Sequence, residues 1–214
     1  MNQVDGLPFR LAGPGETDLE WTLDDVLADA ARRLAAAARD RKQAMHTPVV
    51  GTADGDLRMM VLREASADLA CLRFHTDLRS PKVALIGEGA PVSVLAYDPD
   101  ARVQLRMRGV GRIEHAGFVV DAAWSRTAPS SRRCYLAETG PGGMLEAAGS
   151  AIPEALSRRS PTVDETLPGR SNFAVLLIEV RSLDWLRLDN GGGTRARFTR
   201  PDASSPWSGG WIAP

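Results

Sequence analysis

The chain has 214 residues, with 26 Lys plus Arg against 27 Asp plus Glu and 43% apolar residues, proportions of an ordinary globular protein. A formal net charge of -1 removes any general electrostatic reason to bind nucleic acid or an anionic membrane, so a phosphate site has to be a local basic cluster. Two cysteines, Cys71 and Cys134, exclude a disulfide framework and a four-thiolate zinc site, which makes a reducing cytoplasm the expected compartment.

Residues 1–20 read as an extended arm: Met1 to Asp18 is mixed polar and lacks both the basic and the apolar region of a secretory signal. No apolar run approaches the ~18 residues of a membrane span. Thr22 predicts an N-cap, with Asp24 and Asp25 in the first turn and apolar Leu23, Val26, Leu27, Ala30, Leu34 and Ala38 at helical spacing. Arg39, Arg41 and Lys42 fall at its last turn, before Pro48. From Pro48 the period becomes two, predicting strands at Pro48 to Ala53, Leu57 to Arg63, Leu69 to Thr76, Val92 to Tyr97 and Arg102 to Glu114. So many closely spaced strands imply an antiparallel meander or barrel. A short helix interrupts them, with Ser80 as cap, Pro81 at its first position and Gly87 as stop. Phe118 to Ser125 and Ser130 to Glu138 read as helical, and the Gly-, Pro- and Ser-rich stretch 140–171 as a mobile connection around one short helix. Phe173 to Asp189 and Arg195 to Arg200, joined by Gly191-Gly192-Gly193, predict a closing hairpin. One domain over 1–214 is the expectation.

Nearly all positive charge is arginine; the only lysines are Lys42 and Lys82, which draws notice to Lys82. Alternation places Arg58, Met60 and Leu62 on one strand face and Met59, Val61 and Arg63 on the other. Solvated edge arginines would be the plain reading. The segment Phe74-His75-Thr76-Asp77-Leu78-Arg79-Ser80-Pro81-Lys82 shifts it, because it sets a hydroxyl, a guanidinium and an ammonium at a helix start, where an anion is favoured.

The segments RMMVLR at 58, FHTDLRSPK at 74, VQLRMRG at 103 and the terminal WSGGWIAP stand in the order of the flavin-binding segments of the pyridoxamine 5'-phosphate oxidase family, which the chain resembles. The resemblance implies a mainly β fold, an antiparallel FMN-binding split β-barrel with peripheral helices and an N-terminal helix, in a homodimer that holds FMN between its subunits. By position it assigns Arg58, Met59, Val61, Leu62 and Arg63 to the flavin-lining strand, His75 and Thr76 to the flavin edge, and Ser80 and Lys82 to the phosphate. Pro81 stands where the oxidase has a basic residue, with Arg79 as the replacement charge. Gln104 matches a glutamine that reaches the ring from the partner subunit, and Trp185 or Arg187, with Arg197, matches the C-terminal flavin contacts. On the substrate side, Arg63, Arg126, Ser130 and Arg195 occupy the corresponding positions; a tyrosine there is replaced by Ala122 and a histidine by Arg195. The implied function is an FMN-dependent oxidoreductase acting on a small molecule. Alternatives are a true pyridoxamine or pyridoxine 5'-phosphate oxidase, or a flavin- or haem-binding module without turnover.

Other chemistries find little support. Cys71 and His75 share a strand face, but three histidines outside H-E-x-x-H spacing predict no metal site. Gly109-x-Gly111 lacks the strand-to-helix setting of a dinucleotide loop, and no G-x-S-x-G points to a hydrolase.

Overall fold

The structure, a computed structural model, describes residues 21–214; the expected arm over 1–20 lies outside the described residues. Helix α1, Leu23–Arg39, begins at a capping box in which Thr22 and Asp25 satisfy each other's backbone N–H groups. It ends before Arg41 and Lys42 because the Asp40 side chain accepts from the Lys42 backbone N–H (2.9 Å), a local bond that competes with the helix. Val26, Ala30, Leu34 and Ala37 are fully buried against the inward-facing barrel side chains.

Nine strands follow: β1 Val49–Thr52, β2 Leu57–Met59, β3 Leu62–Ala65, β4 Cys71–Asp77, β5 Ala90–Asp98, β6 Val103–Glu114, β7 Phe173–Arg187, β8 Thr194–Thr199 and β9 Ser208–Ile212. They pair antiparallel in the order β2-β1-β5-β6-β7-β4-β3, with β8 on β7 and β9 on β8. The expected strand Leu57 to Arg63 is therefore two. β2 pairs with β1 at one edge of the sheet and β3 pairs with β4 at the other. A single extended segment thus joins both edges, closing the barrel through the chain itself, while Met60 and Leu62 still point into the core.

The 15-residue β7 is the spine. It pairs with β6 along nearly its whole length, with β4 through residues 173–179 and with β8 through residues 182–187. A bulge between Arg108 and Gly109 marks the change of neighbour. Gly109 is required there: a Cβ would lie 1.9 Å from the Glu179 carbonyl oxygen.

Some expectations at the element level change. Leu69 lies in a turn with φ 59°, so β4 starts two residues later than predicted. The helical stretch Ser130 to Glu138 becomes a turn of α-helix, Pro129–Arg132, and a 3-10 turn, Arg133–Leu136. Within 140–171 there are two short helices, Glu154–Ser157 and Val163–Thr166, rather than one. The final hairpin gains a third strand, β9, which glycine-rich Ser208-Gly209-Gly210 hides from a propensity reading.

Helix α2, Pro81–Ile86, matches expectation, with Ser80 as cap. Helix α3, Phe118–Arg126, lies on the outer face of the first half of β7. There Val120, Ala123, Trp124 and Tyr135 form a second apolar cluster with Phe173, Val175 and Leu177.

Candidate functional site

The β1–β2 hairpin and α2 bring the notable lysine and arginine together. Arg58 donates to Thr52 Oγ1 (2.9 Å) and the Val50 carbonyl (3.4 Å), and pairs with Asp56. Lys82 Nζ donates to Ser80 Oγ (2.8 Å), and Ser80 is buried. Burial first, and then the charge of Arg58, hold Lys82 below the ordinary lysine range. Two cations and a hydroxyl therefore crowd one place, an arrangement that a bound oxyanion relieves.

Beside this cradle, Arg79 takes another course. It forks onto Asp77 through Nε (3.0 Å) and Nη2 (2.7 Å) and donates from Nη1 to the Ala137 carbonyl (2.7 Å). The Asp77 bonds raise its pKa. Its guanidinium is turned to Asp77 and the Ala137 carbonyl, and Arg58 and Lys82 carry the cradle.

On the outer face of β3 and β4 stand Arg63, Arg73 and His75. Both ring nitrogens of His75 and the Nε atoms of Arg63 and Arg73 are buried without a hydrogen-bond partner among the described residues. Arg73 pairs with Glu64 (2.6 Å) and His75 meets Phe173 edge-on, centroids 4.9 Å apart. Burial, helped by the charges of Arg63 and Arg73, lowers the His75 pKa to about 3, so the imidazole is neutral near pH 7.

A third group lies on the outer face of β6, β7 and β8. Register places Leu95, Arg106, Asp184 and Arg197 in one cross-strand row and Tyr97, Gln104, Leu186 and Arg195 in the next. Asp184 is almost fully buried. Burial alone would raise its pKa, but hydrogen bonds from Arg195 and Arg106 outweigh that and leave it lowered.

Residues 27–115 match the family described as pyridoxamine 5'-phosphate oxidase, FMN-binding domain. Over this segment the chain is similar to that family. A pyridoxamine 5'-phosphate oxidase-related, FMN-binding protein from Nostoc punctiforme PCC 73102 shares the fold with a TM-score of 0.63 at 23% identity, covering 87% of this chain and 96% of its own. PhzG from Burkholderia lata 383, solved with tetrahydrophenazine-1-carboxylic acid, has a TM-score of 0.63 at 16% identity, covering 94% of this chain and all of its own. No curated protein matches. The mostly antiparallel split barrel with its N-terminal helix is thus the fold of the pyridoxamine 5'-phosphate oxidase-like proteins.

Within that family fold, the residues assigned from sequence fall into distinct places. Arg58, Ser80 and Lys82 converge. Met59 is exposed and Val61 half-buried on the outer face, whereas Leu62 and Thr76 point inward and are buried, leaving them only backbone to offer a ligand. Gln104 is remote from the cradle: it lies opposite Tyr97, and Val92, opposite Thr52, is five residues back along β5, roughly 17 Å at about 3.4 Å per residue.

Trp185 and Arg187 both meet Trp21. Trp185 is fully buried in the core, where its Nε1 donates to Asp29 (3.0 Å) and its ring meets Trp21 at 5.2 Å. Arg187 lies over Trp21, 5.4 Å from the ring centroid. Strand alternation makes both odd-numbered positions face inward, and the outward neighbour between Leu183 and Trp185 is Asp184. Sequence reasoning missed Asp184, although an acid alternating with apolar residues in a long strand was the available signal. On the substrate side, Arg126 and Ser130 are exposed around α3, and Arg195 is held by Asp184 rather than free. Among the described residues there is no metal-holding cluster and no helix long and apolar enough to cross a membrane.

Proposed function

We propose that the protein is an FMN-binding flavoprotein, a homodimer with FMN-dependent oxidoreductase activity on a small molecule. The observation that carries this reading is the meeting of Arg58, Ser80 and Lys82: two cations, one of them destabilised by burial and by the other, beside a buried hydroxyl. Such a cluster fits a phosphate monoester, which supplies the missing negative charge and accepts from both side chains.

Arg58, Ser80 and Lys82 would hold the FMN phosphate, and the exposed Met59 and half-buried Val61 would flank the ring. Bound there, FMN supplies hydride and electron transfer that no amino-acid side chain provides. The protein's part is to anchor, orient and shield. Because Gln104 lies far along the sheet from the cradle, it serves the flavin of the partner subunit, as does Arg197 on the same outer face. The same outer face exposes Met59 and Tyr97, apolar surface that a second copy would cover.

The substrate is one other than pyridoxamine or pyridoxine 5'-phosphate. Arg195 stays protonated and tied to Asp184, so it cannot take the part of a neutral histidine. Two measurements test this reading. FMN titration should quench flavin fluorescence with 1:1 stoichiometry per chain; absence of binding would overturn the reading. Steady-state assays of both B6 phosphates should give kcat/KM below about 10⁴ M⁻¹s⁻¹, and efficient turnover would make the protein an oxidase of those compounds.

A further inference from the structure

The outer face of β1, β5, β6, β7 and β8 carries a cavity of about 330 Å³ that the phosphate cradle does not use. One wall is apolar, built from Val49, Leu57 and Leu95; the other presents Arg106, Arg108 and Arg197, with the Ser182 hydroxyl between. Asp184 is the only acid in the lining among the described residues, and it is 5% exposed. Its Oδ2 accepts from Arg106 (2.8 Å), Arg195 (2.9 Å) and Arg197 (3.3 Å), and its Oδ1 accepts from Arg195 (3.0 Å). One carboxylate against three guanidiniums leaves a surplus of two positive charges. Arg108, which makes no hydrogen bond or ion pair among the described residues, raises it to three. Like charges held this close are costly unless an anion joins them.

We propose that this cavity is an anion subsite for the reacting small molecule, which carries a carboxylate on an apolar body. The carboxylate is met by Arg106, Arg108 and Arg197, and the body lies against Leu57 and Leu95. The apolar wall favours such a molecule over a bare inorganic anion, which would leave that wall unused. Asp184 is a positioning residue: buried beneath the arginines, it fixes Arg106 and Arg197 in place. The role of this molecule as substrate rests on the flavin reading, in which Arg197 reaches the partner's flavin; anion binding itself does not.

Calorimetric titration of the full-length protein, with and without FMN, uses three probes: benzoate, benzyl alcohol and inorganic phosphate. Benzoate is expected to bind at least tenfold more tightly than either of the others. Equal binding of benzyl alcohol would overturn anion recognition, and tighter binding of phosphate would overturn the carboxylate class. Arg108→Ala, at an exposed and unpaired side chain, should weaken benzoate at least tenfold while FMN affinity stays unchanged; unchanged benzoate affinity would overturn the site. Asp184→Asn separates positioning from simple charge. It adds to the net positive charge, so an acid acting only through its charge would give tighter benzoate binding on removal. A positioning acid gives weaker binding, partly recovered in Asp184→Glu, and tighter binding in Asp184→Asn would overturn that role. Should FMN fail to bind, the flavin reading falls, while benzoate binding to the flavin-free protein still decides the subsite.

Discussion

At the scale of single residues, the site turns on where charge is left unmatched. Lys82 is held near Arg58 and hydrogen-bonded to Ser80, and its pKa is lowered by burial and by Arg58 despite Asp77 and Asp56, so its worth appears when a phosphate arrives. Lys82→Ala should weaken FMN binding ten- to a hundredfold, the loss of a charge-assisted bond of about 1.5–3 kcal/mol; fluorescence titration measures it, and an unchanged affinity removes Lys82 from the site. His75 gives a second prediction. Its folded value of about 3 lies below the ordinary 6.5, so between the two the unfolded chain binds a proton that the folded protein refuses. Stability is therefore fully present above about pH 6.5 and falls as pH drops toward 3, with a slope from this group of up to about 1.4 kcal/mol per pH unit. Urea denaturation at pH 7 and pH 5 should show that fall, and His75→Phe should lessen it. An identical decrease in wild type and variant would show that other groups account for it.

At the scale of elements, alternation was the most legible feature of the sequence. It put Met60 and Leu62 together on the face that is buried and Met59 on the other, because a two-residue period needs no knowledge of neighbours. It could not show that Leu57 to Ala65 changes partner, since β2 and β3 continue one extended run and differ only in what lies beside them. The β6–β7 bulge is equally silent in sequence, yet it bends the spine and separates the two outer faces. Gly109→Ala would drive a methyl group into the Glu179 carbonyl, backbone against backbone. The expected loss is on the order of 3 kcal/mol, or roughly 6–12 °C in Tm for a chain of this size, read by calorimetry. A variant that melts with the wild type would mean that β6 and β7 can move apart at no cost.

For the whole molecule, the proposed flavin site needs the cradle beside Thr52 and the distant Gln104 to meet one ligand. Two copies provide this if the outer faces meet, and the exposed Met59 and Tyr97 give that face its apolar character. Sedimentation equilibrium should return a mass near twice 23.0 kDa. The double change Met59→Asp and Tyr97→Asp, at side chains exposed in one chain, should dissociate the dimer and lose FMN in the same step. A monomer that retains FMN at wild-type affinity would refute a shared site.

The sequence by itself determined the helix cap at Thr22, the strand periods, the Ser80-Pro81 helix start and the residue types of a phosphate site, all of which depend on spacings of a few residues. Arg58 is paired with Lys82 through the resemblance, because both stand in segments that follow the order of the pyridoxamine 5'-phosphate oxidase family. Only the tertiary structure decided which face of β7 meets the outside. A one-residue shift exchanges Trp185 for Asp184, and the exchange is fixed by Asp29 of α1, 156 positions away, which accepts the Trp185 indole N–H inside the core. The same long-range packing gathered Arg106 from β6 and Arg195 and Arg197 from β8 around Asp184 of β7. Residues so distant in sequence share a charge cluster only once the sheet has set their register, because hydrogen bonding between strands, and no local pattern, brings them side by side.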